Sequence, residues 1–154
     1  MFNNILIVCT ANVCRSPLGE GLLKHRLGAR EDIVVHSAGV AALVGARPHP
    51  IVLDQLRRAK ISSMRTHRAR QCDENVLRAA DLVLVMEKGH LKWLSKAFPQ
   101  FHGRTFLIGH WDHKREVPDP IGQPREVFDE VFEQLEQHLD EWLERIVKPG
   151  ALKV

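Results

Sequence analysis

Short apolar runs alternate along the chain with longer stretches in which apolar residues recur at every third or fourth position. Unbroken apolar runs predict buried β-strands, and the periodic stretches predict helices with one apolar face. The predicted strands cover residues 4–8, 33–37, 81–86 and 104–108, and the predicted helices cover residues 17–28, 48–59, 74–79, 87–97 and 124–147. Apolar strands that alternate with helices are typical of an α/β fold with a parallel sheet covered on both faces.

The last predicted helix, 124–147, separates apolar from charged positions clearly. Phe128, Leu135 and Trp142 lie on its apolar face, and Asp and Glu residues fill the opposite face. We expect the apolar face to pack on the sheet. The acidic face argues against binding to an acidic membrane surface.

The chain length of 154 residues fits one domain and is too short for two of ordinary size. We expect this domain to span residues 1–148, followed by a short tail over 149–154, because Lys148-Pro149-Gly150 ends the helical pattern. No apolar run approaches the roughly 18 residues that span a bilayer. Residues 1–4 lead into the first strand without the basic region of a signal peptide, so the expected location is cytoplasmic, without membrane insertion.

Charge and cysteine content narrow the function. The formal net charge of +3 favours an anionic substrate but is too small to indicate binding to nucleic acid. Three cysteines in a chain without an export signal indicate reduced thiols rather than a disulfide framework. The chain has no Cys-x-x-Cys pair, and Cys9 and Cys14 have only Cys72 to join them, so we predict no metal site and no cofactor.

The most informative segment is 9–17, which reads Cys-Thr-Ala-Asn-Val-Cys-Arg-Ser-Pro and joins the first strand to the first helix. A short loop between a strand and a helix is where α/β proteins bind anions. The backbone N–H groups of residues 10–15 can point inward as a nest for a dianion, and the guanidinium of Arg15 can close it. Ser16 is predicted as the helix N-cap and Pro17 as the first helical residue.

A thiol at the start of such a nest is a candidate nucleophile. The helix N-terminus, the inward N–H groups and the Ser16 hydroxyl all favour the ionised form of Cys9. Cys9 would attack phosphorus in line, while Arg15 and the loop amides stabilise charge on the equatorial oxygens. A plainer interpretation stays open at this point, in which Cys9 is a buried apolar residue and Arg15 a surface cation.

Asp119 is the candidate for proton transfer. Attack by a thiolate requires an acid that protonates the leaving oxygen, and the same group must later activate water. Pro118 and Pro120 hold Asp119 on a stiff loop between the fourth strand and the last helix. We expect this loop to return to the carboxyl edge of the sheet, where Cys9 lies. By itself, an Asp-Pro pair is usually just a turn.

These residues together resemble one family, the low-molecular-weight protein tyrosine phosphatases. The matching segments follow one order along essentially the whole chain: the 9–17 loop, His36-Ser37-Ala38-Gly39, His67-x-Ala69-Arg70-Gln71, the 81–86 strand and Asp119-Pro120. Residues 1–6, 42–45, 86–88 and 109–112 are similar to the Gram-negative members associated with exopolysaccharide or capsule export. The resemblance implies a three-layer sandwich with a four-stranded parallel sheet in the order 2-1-3-4 and helices on both faces.

The resemblance also implies a role for each residue of the site. Cys9 is the nucleophile, Arg15 the phosphate clamp, and Asp119 the general acid and base. The phosphate-binding loop is formed by Thr10, Ala11, Asn12, Val13, Cys14 and Arg15.

Four residues support the catalytic groups in this comparison. Ser16 hydrogen-bonds the thiolate, and Asn12, buttressed by His67, holds the unusual backbone of the loop. Cys14 stands where many members keep a second cysteine that traps oxidised Cys9 as a reversible disulfide. Simple packing is the alternative role of Cys14.

Several positions depart from the family pattern. Ala11 replaces the usual glycine of the loop, so we expect a strained or rearranged backbone there. Leu43 and Ile121 stand where aromatic residues are common, which predicts an aliphatic pocket rim, and Trp111 is a further rim candidate. The chain contains no tyrosine, so it cannot be regulated through phosphorylation of its own tyrosines.

The resemblance implies a phosphotyrosine protein as partner, and for the Gram-negative members a bacterial tyrosine autokinase that controls polysaccharide assembly. Two other functions share the loop. A related arsenate reductase needs a downstream cysteine pair, and only Cys72 is present. A non-enzymatic phosphocysteine carrier or phosphate-binding module needs no general acid, so Asp119 counts against it.

Overall fold

A computed structural model describes residues 2–147. Within this range one sheet contains four parallel strands, β1 (Asn4–Cys9), β2 (Val34–Gly39), β3 (Leu82–Val85) and β4 (Thr105–Leu107), in the order β2-β1-β3-β4. The helices are α1 (Arg15–Leu27), α2 (Pro50–Arg58), α3 (Glu74–Ala79), α4 (Lys88–Ala97) and α5 (Arg125–Ile146), and a 3₁₀ helix, Pro99–Arg104, precedes β4. The predicted sheet and its order are confirmed. The predicted tail, 149–154, lies outside the described residues.

Two apolar clusters cover the sheet, one on each face. The side chains of β1 alternate between them, so Ile5 and Ile7 face one cluster while Leu6 and Val8 face the other. The first cluster includes residues of α1, α2 and α5, and the second includes residues of α3, α4 and the 3₁₀ helix. This three-layer packing leaves residues 5–8 of β1 and all of β3 without solvent exposure, which explains their continuous apolar runs.

The long helix α5 is held along its length by apolar packing and at its end by polar contacts. Phe128 and Leu135 are buried against the sheet, and the indole of Trp142 donates a hydrogen bond of 2.8 Å to the Ile108 carbonyl. The backbone of Phe2 donates to the Ile146 carbonyl, which ties the helix end to the start of β1. Among the residues described, no helix combines the length and apolar character needed to cross a membrane.

The start of α1 differs from the prediction. The helix begins at Arg15, Cys14 occupies the N-cap position without a side-chain cap, and Pro17 is the third helical residue. The assignment of Ser16 as N-cap is therefore wrong, because its fully buried hydroxyl bonds within the preceding loop instead. Proline is tolerated in the first turn, where its missing N–H would have no intrahelical partner.

The topology creates a crevice at the carboxyl end of β1. After β1 the chain enters α1 on one face of the sheet, and after the adjacent β3 it enters α4 on the other face. Neighbouring parallel strands whose connections leave toward opposite faces open a binding site between them. Cys9, the last residue of β1, lies at this point.

Candidate active site

The loop between β1 and α1 has its carbonyl groups bonded to a neighbouring segment. The carbonyls of Cys9, Thr10, Ala11 and Val13 accept hydrogen bonds of 2.8–3.1 Å from the amides of Val40, Ala41, Leu43 and His49. Within residues 2–147, no acceptor is bonded to the N–H groups of residues 10–14. These free amides, next to a helix N-terminus, are the expected donors for a bound oxyanion.

Asn12 fixes the backbone of this loop. Its φ of 61° places it in the left-handed region, which asparagine tolerates better than most residues. The Asn12 amide donates to Ser16 Oγ at 2.7 Å and to Ser37 Oγ at 3.0 Å, and its Oδ1 accepts from the Arg70 amide at 3.0 Å. Ala11 has no positive φ, so the strain predicted there is absent, and Asn12 adopts the demanding conformation instead.

Gly39, the last residue of β2, lies directly beneath the loop. A Cβ atom at this position would lie 2.5 Å from the Thr10 carbonyl oxygen and 3.0 Å from the Asn12 amide nitrogen. Because both neighbours are backbone atoms, no side-chain rotation could relieve the contact. The loop therefore requires glycine at position 39.

The Cys9 thiol is buried at the bottom of the loop. Its Sγ lies 2.9 Å from Ser16 Oγ, while Ser16 Oγ lies 3.4 Å from the Ala38 carbonyl oxygen. Since Ser16 already accepts a hydrogen bond from Asn12, its own hydrogen can be donated to an ionised Cys9. This chain of donors can stabilise the thiolate.

A buried carboxylate supports the loop from behind. Glu20 accepts hydrogen bonds from Ser37 Oγ and from Lys24 Nζ, both at 2.6 Å. The two ring nitrogens of His67 lie 3.9 Å from Glu20 Oε1 and 3.4 Å from the Asn12 carbonyl oxygen. Burial lowers the pKa of His67, partly offset by Glu20. The position of His67 agrees with the buttressing role implied by the resemblance.

Arg15 is almost completely buried, and its charge is compensated by a neighbouring carboxylate. Its Nη1 donates to Glu87 and, at 2.9 Å, to the Val117 carbonyl. Its Nη2 donates to Thr10 Oγ1 at 3.3 Å and lies 3.9 Å from Asp119 Oδ2. With Nη1 occupied, the edge formed by Nε and Nη2 remains for two oxygens of a phosphoryl group.

Thr10 and His90 complete this side of the site. The backbone N–H of Glu87 donates to His90 Nδ1 at 3.1 Å, so the neutral ring carries its proton on Nε2 and donates it to Thr10 Oγ1 at 2.9 Å. Burial and the nearby charge of Arg15 lower the pKa of His90, which favours this neutral form. Thr10 Oγ1 accepts from both His90 and Arg15, which leaves its own hydrogen for a bound anion.

Asp119 lies on the loop that returns from β4 to the same edge. The amide of Val117 donates to the Met86 carbonyl at 2.9 Å, which ties this loop to the end of β3. Asp119 Oδ1 accepts from the Ile121 amide at 3.1 Å, and Oδ2 faces Arg15. The carboxylate is half exposed, as a group that exchanges protons with substrate and water must be.

Two of the three predicted rim residues lie beside the site. Leu43 is exposed and its amide is bonded to Ala11 of the loop, and Ile121 is exposed and follows Asp119. Both positions agree with an aliphatic rim.

The predicted rim position of Trp111 is wrong. Its ring packs against Trp142, and the Arg145 guanidinium lies 3.8 Å from its centroid. These partners lie in the last two turns of α5, whereas the Asp119 loop leads into the first turn of the same helix. A helix of 22 residues is about 33 Å long, so the contacts place Trp111 at the far end.

The other two cysteines are buried thiols. Burial, together with the charges of Cys9 and Asp119, raises the pKa of Cys14 to about 12, so Cys14 does not compete with Cys9 as a nucleophile. Burial raises the pKa of Cys72 to about 12 as well, and Cys72 belongs to the apolar cluster on the opposite face of the sheet from Cys9. In the described part of the chain, no three His, Cys, Asp or Glu side chains are grouped to hold a metal ion.

Glu20, Glu87 and His90 are not predicted as site residues by the sequence patterns. Glu87 follows β3 closely, and β3 lies next to β1, so the sheet order was the signal that could have found it. Glu20 is a charged residue on the buried side of α1, which is a signal that it has a buried partner.

Comparison with known proteins gives consistent matches. The family described as "Low molecular weight phosphotyrosine protein phosphatase" matches residues 4–151. The low molecular weight protein-tyrosine-phosphatase Wzb of Escherichia coli (strain K12) is 39% identical over 146 residues, which cover 95% of this chain and 97% of Wzb. The crystal structure of the Erwinia amylovora tyrosine phosphatase AmsI has a TM-score of 0.88 at 35% identity, covering 96% of this chain and 95% of that chain. Wzb from Escherichia coli K30, solved in complex with sulphate, has a TM-score of 0.88 at 37% identity, covering 96% of this chain and 100% of that chain.

Proposed function

Since the chain belongs to the low molecular weight phosphotyrosine protein phosphatase family, we propose that it hydrolyses phosphotyrosine through a phosphocysteine formed on Cys9. Membership of this family makes it a protein tyrosine phosphatase, and the proposal concerns its mechanism. One observation carries the proposal: Cys9, the free edge of Arg15 and the Asp119 carboxylate meet around a loop whose amides have no acceptor among residues 2–147.

In the first step, the Cys9 thiolate attacks phosphorus on the side opposite the tyrosine oxygen. The S–P bond forms as the P–O bond to tyrosine breaks, and Asp119 donates its proton to the leaving oxygen. Arg15 and the amides of residues 10–14 stabilise the charge on the three equatorial oxygens. The Thr10 hydroxyl supplies one more donor on the Arg15 side.

In the second step, the S–P bond is hydrolysed. Asp119, now ionised, takes a proton from a water molecule as the water oxygen attacks phosphorus. Inorganic phosphate leaves, and Cys9 is released as the thiolate. The hydrogen bond from Ser16 stabilises this leaving group, which lowers the barrier of the step.

Two observations disfavour the other functions that share the loop. Cys72 belongs to the apolar cluster on the other face of the sheet, so it is poorly placed to relay a disulfide from Cys9 as a reductase requires. A phosphocysteine carrier does not need a general acid, whereas the Asp119 carboxylate faces Arg15 as a general acid would.

The physiological substrate is proposed from the resemblance to Gram-negative members. It is a phosphotyrosine protein of the cytoplasm, a tyrosine autokinase that controls exopolysaccharide or capsule assembly. The similarity to Wzb of Escherichia coli over nearly the whole chain supports this proposal. A disulfide between Cys14 and oxidised Cys9 stays a prediction.

The test is hydrolysis of an aryl phosphate in the presence of EDTA. We expect Cys9→Ser to abolish turnover and Asp119→Asn to lower kcat by about 10²-fold or more, because it removes the proton donor. Mass spectrometry of rapidly quenched wild-type enzyme should detect a phosphoryl group on Cys9. Cys72→Ala is the matched control and should keep full activity.

Three outcomes would contradict the mechanism. Turnover that survives Cys9→Ser would exclude the phosphocysteine, and turnover that EDTA abolishes would indicate a metal-dependent reaction. Release of one equivalent of the phenol per enzyme molecule, without further turnover, would identify a phosphocysteine carrier.

A further inference from the structure

An open groove of about 1030 Å³ lies on the outer side of the phosphate-binding loop, next to α2. It is lined mainly by apolar side chains, which include Val13, Leu43, Pro48, Leu53 and Ile61. The amides of Leu43 and His49 donate to the carbonyls of Ala11 and Val13, so the wall of the groove is bonded directly to the loop. The groove therefore begins beside the rim of the catalytic pocket.

Basic side chains surround this apolar surface. Arg47, Lys60 and Arg65 line the groove, and none of them forms an ion pair with another residue of the 2–147 range. Asp54 is the one carboxylate among the lining residues described, and it is already paired with Arg57, Arg58 and Arg125. The groove thus presents an apolar floor and uncompensated positive charge.

We propose that this groove binds the segment that flanks phosphotyrosine in the phosphoprotein substrate, and that this segment carries an apolar side chain together with Asp or Glu residues. The proposal rests on the proposed phosphatase function, since the phosphate anchors the substrate beside Leu43. Charge complementarity selects an acidic segment, because a basic one would be repelled by Arg47, Lys60 and Arg65. The apolar floor of the groove accounts for the preference for an apolar side chain in the same segment.

The test compares phosphotyrosine peptides of equal length with the same apolar residue, one with Glu flanks and one with Lys flanks. In the double variant Arg47→Gln/Arg65→Gln, we expect kcat/KM for the acidic peptide to fall about fivefold, as two exposed ion pairs are lost. The change should appear mainly in KM. Raising the salt concentration should reduce the advantage of the acidic peptide in the wild type.

The matched control is Lys92→Gln/Lys96→Gln on α4. These lysines are exposed and lie on a helix that packs on the opposite face of the sheet. Their substitution removes the same formal charge as Arg47→Gln/Arg65→Gln. The control variant should keep the wild-type ratio between the two peptides. Hydrolysis of a small aryl phosphate, which does not reach the groove, should be equal in all three proteins.

The outcomes separate this proposal from the phosphatase function. Equal kcat/KM for the two peptides, or equal losses in the two double variants, would overturn the groove proposal while hydrolysis of aryl phosphate continues. Absence of hydrolysis of aryl phosphate would refute the function itself. A dimer detected by sedimentation, and abolished by Arg47→Gln/Arg65→Gln, would make a second copy the occupant and would also overturn the proposal.

A separate peptide tests the apolar half of the proposal. A peptide whose apolar flanking residue is replaced by Asn should bind more weakly, and an unchanged KM would reject the apolar contact.

Discussion

The substitution Gly39→Ala tests whether the position of the phosphate-binding loop controls catalysis. The added Cβ would lie 2.5 Å from the Thr10 carbonyl oxygen, 3.0 Å from the Asn12 nitrogen and 3.1 Å from the Ala11 carbonyl carbon. Restoring an ordinary 3.4 Å contact requires the Thr10 carbonyl to move by about 0.9 Å. Since all three neighbours are backbone atoms of the loop, the loop or the end of β2 must shift as a unit.

A shift of this size should act on catalysis more than on folding. Misplacement of reacting groups by about 1 Å costs about 10²-fold in rate, so we expect kcat/KM for an aryl phosphate to fall about 100-fold. Inhibition by inorganic phosphate should weaken as well, because the loop amides no longer converge on the anion. Overpacking of this kind costs about 1–3 kcal/mol of stability, and each kcal/mol lowers Tm by about 2–4 °C in a chain of this size.

Gly103→Ala is the matched control for this substitution. A Cβ added at Gly103 meets no heavy atom within 4 Å, so activity and Tm should match the wild type. Kinetics are measured well below the Tm of each variant, and circular dichroism checks that the variants are folded. A Gly39→Ala enzyme with kcat/KM within a fewfold of the wild type would refute this reasoning, and so would a loss that follows unfolding alone.

Two further changes test the supporting groups. Thr10→Val should weaken inhibition by phosphate and lower kcat/KM about tenfold, because it removes a hydrogen-bond donor and leaves His90 Nε2 unpaired. Thr10→Ser keeps the hydroxyl and should restore both phosphate inhibition and kcat/KM. Failure of this rescue would contradict the role assigned to Thr10. The free energy of unfolding should decrease as the pH falls below 6.5, by up to about 1.4 kcal/mol per pH unit for each histidine that stays neutral only when folded. Burial lowers the pKa of four histidines in the folded protein, namely His36, His67, His90 and His138. Below pH 6.5 the unfolded chain therefore binds more protons than the folded protein. The stabilisation that is present above pH 6.5 is lost on acidification. Urea unfolding at pH 7.5 and 5.5 measures this change, and equal free energies would contradict it.

The two central strands were predictable from the sequence because β1 and β3 are buried on both faces and therefore read as continuous apolar runs. The start of α1 was not predictable in the same way. Ser16-Pro17 has the composition of a helix N-cap, but the same two residues fit the first turn equally well. Which of the two occurs depends on where the Ser16 hydroxyl finds partners. Cys9 and Asn12 supply them, and only the folded loop brings those residues together.

The residues that support the loop are distant in sequence and become neighbours only in the folded sheet. Gly39 ends β2, Cys9 ends β1 and Glu87 follows β3, so they are neighbours only through the strand order. Trp111 follows β4, the edge strand, and its loop folds back onto the apolar face of α5 instead. Closeness in sequence to Asp119 therefore does not by itself bring a residue to the site.

The buried Arg15 shows how such a residue could have been inferred. A guanidinium that is removed from water on a loop after a central strand destabilises the fold unless a carboxylate compensates it. Asp119 lies too far from Arg15 for a direct hydrogen bond, and it must also stay free to exchange protons. A second carboxylate is therefore required, and Glu87, which follows β3, supplies it. This separates the residue that holds Arg15 in place from the residue that transfers the proton.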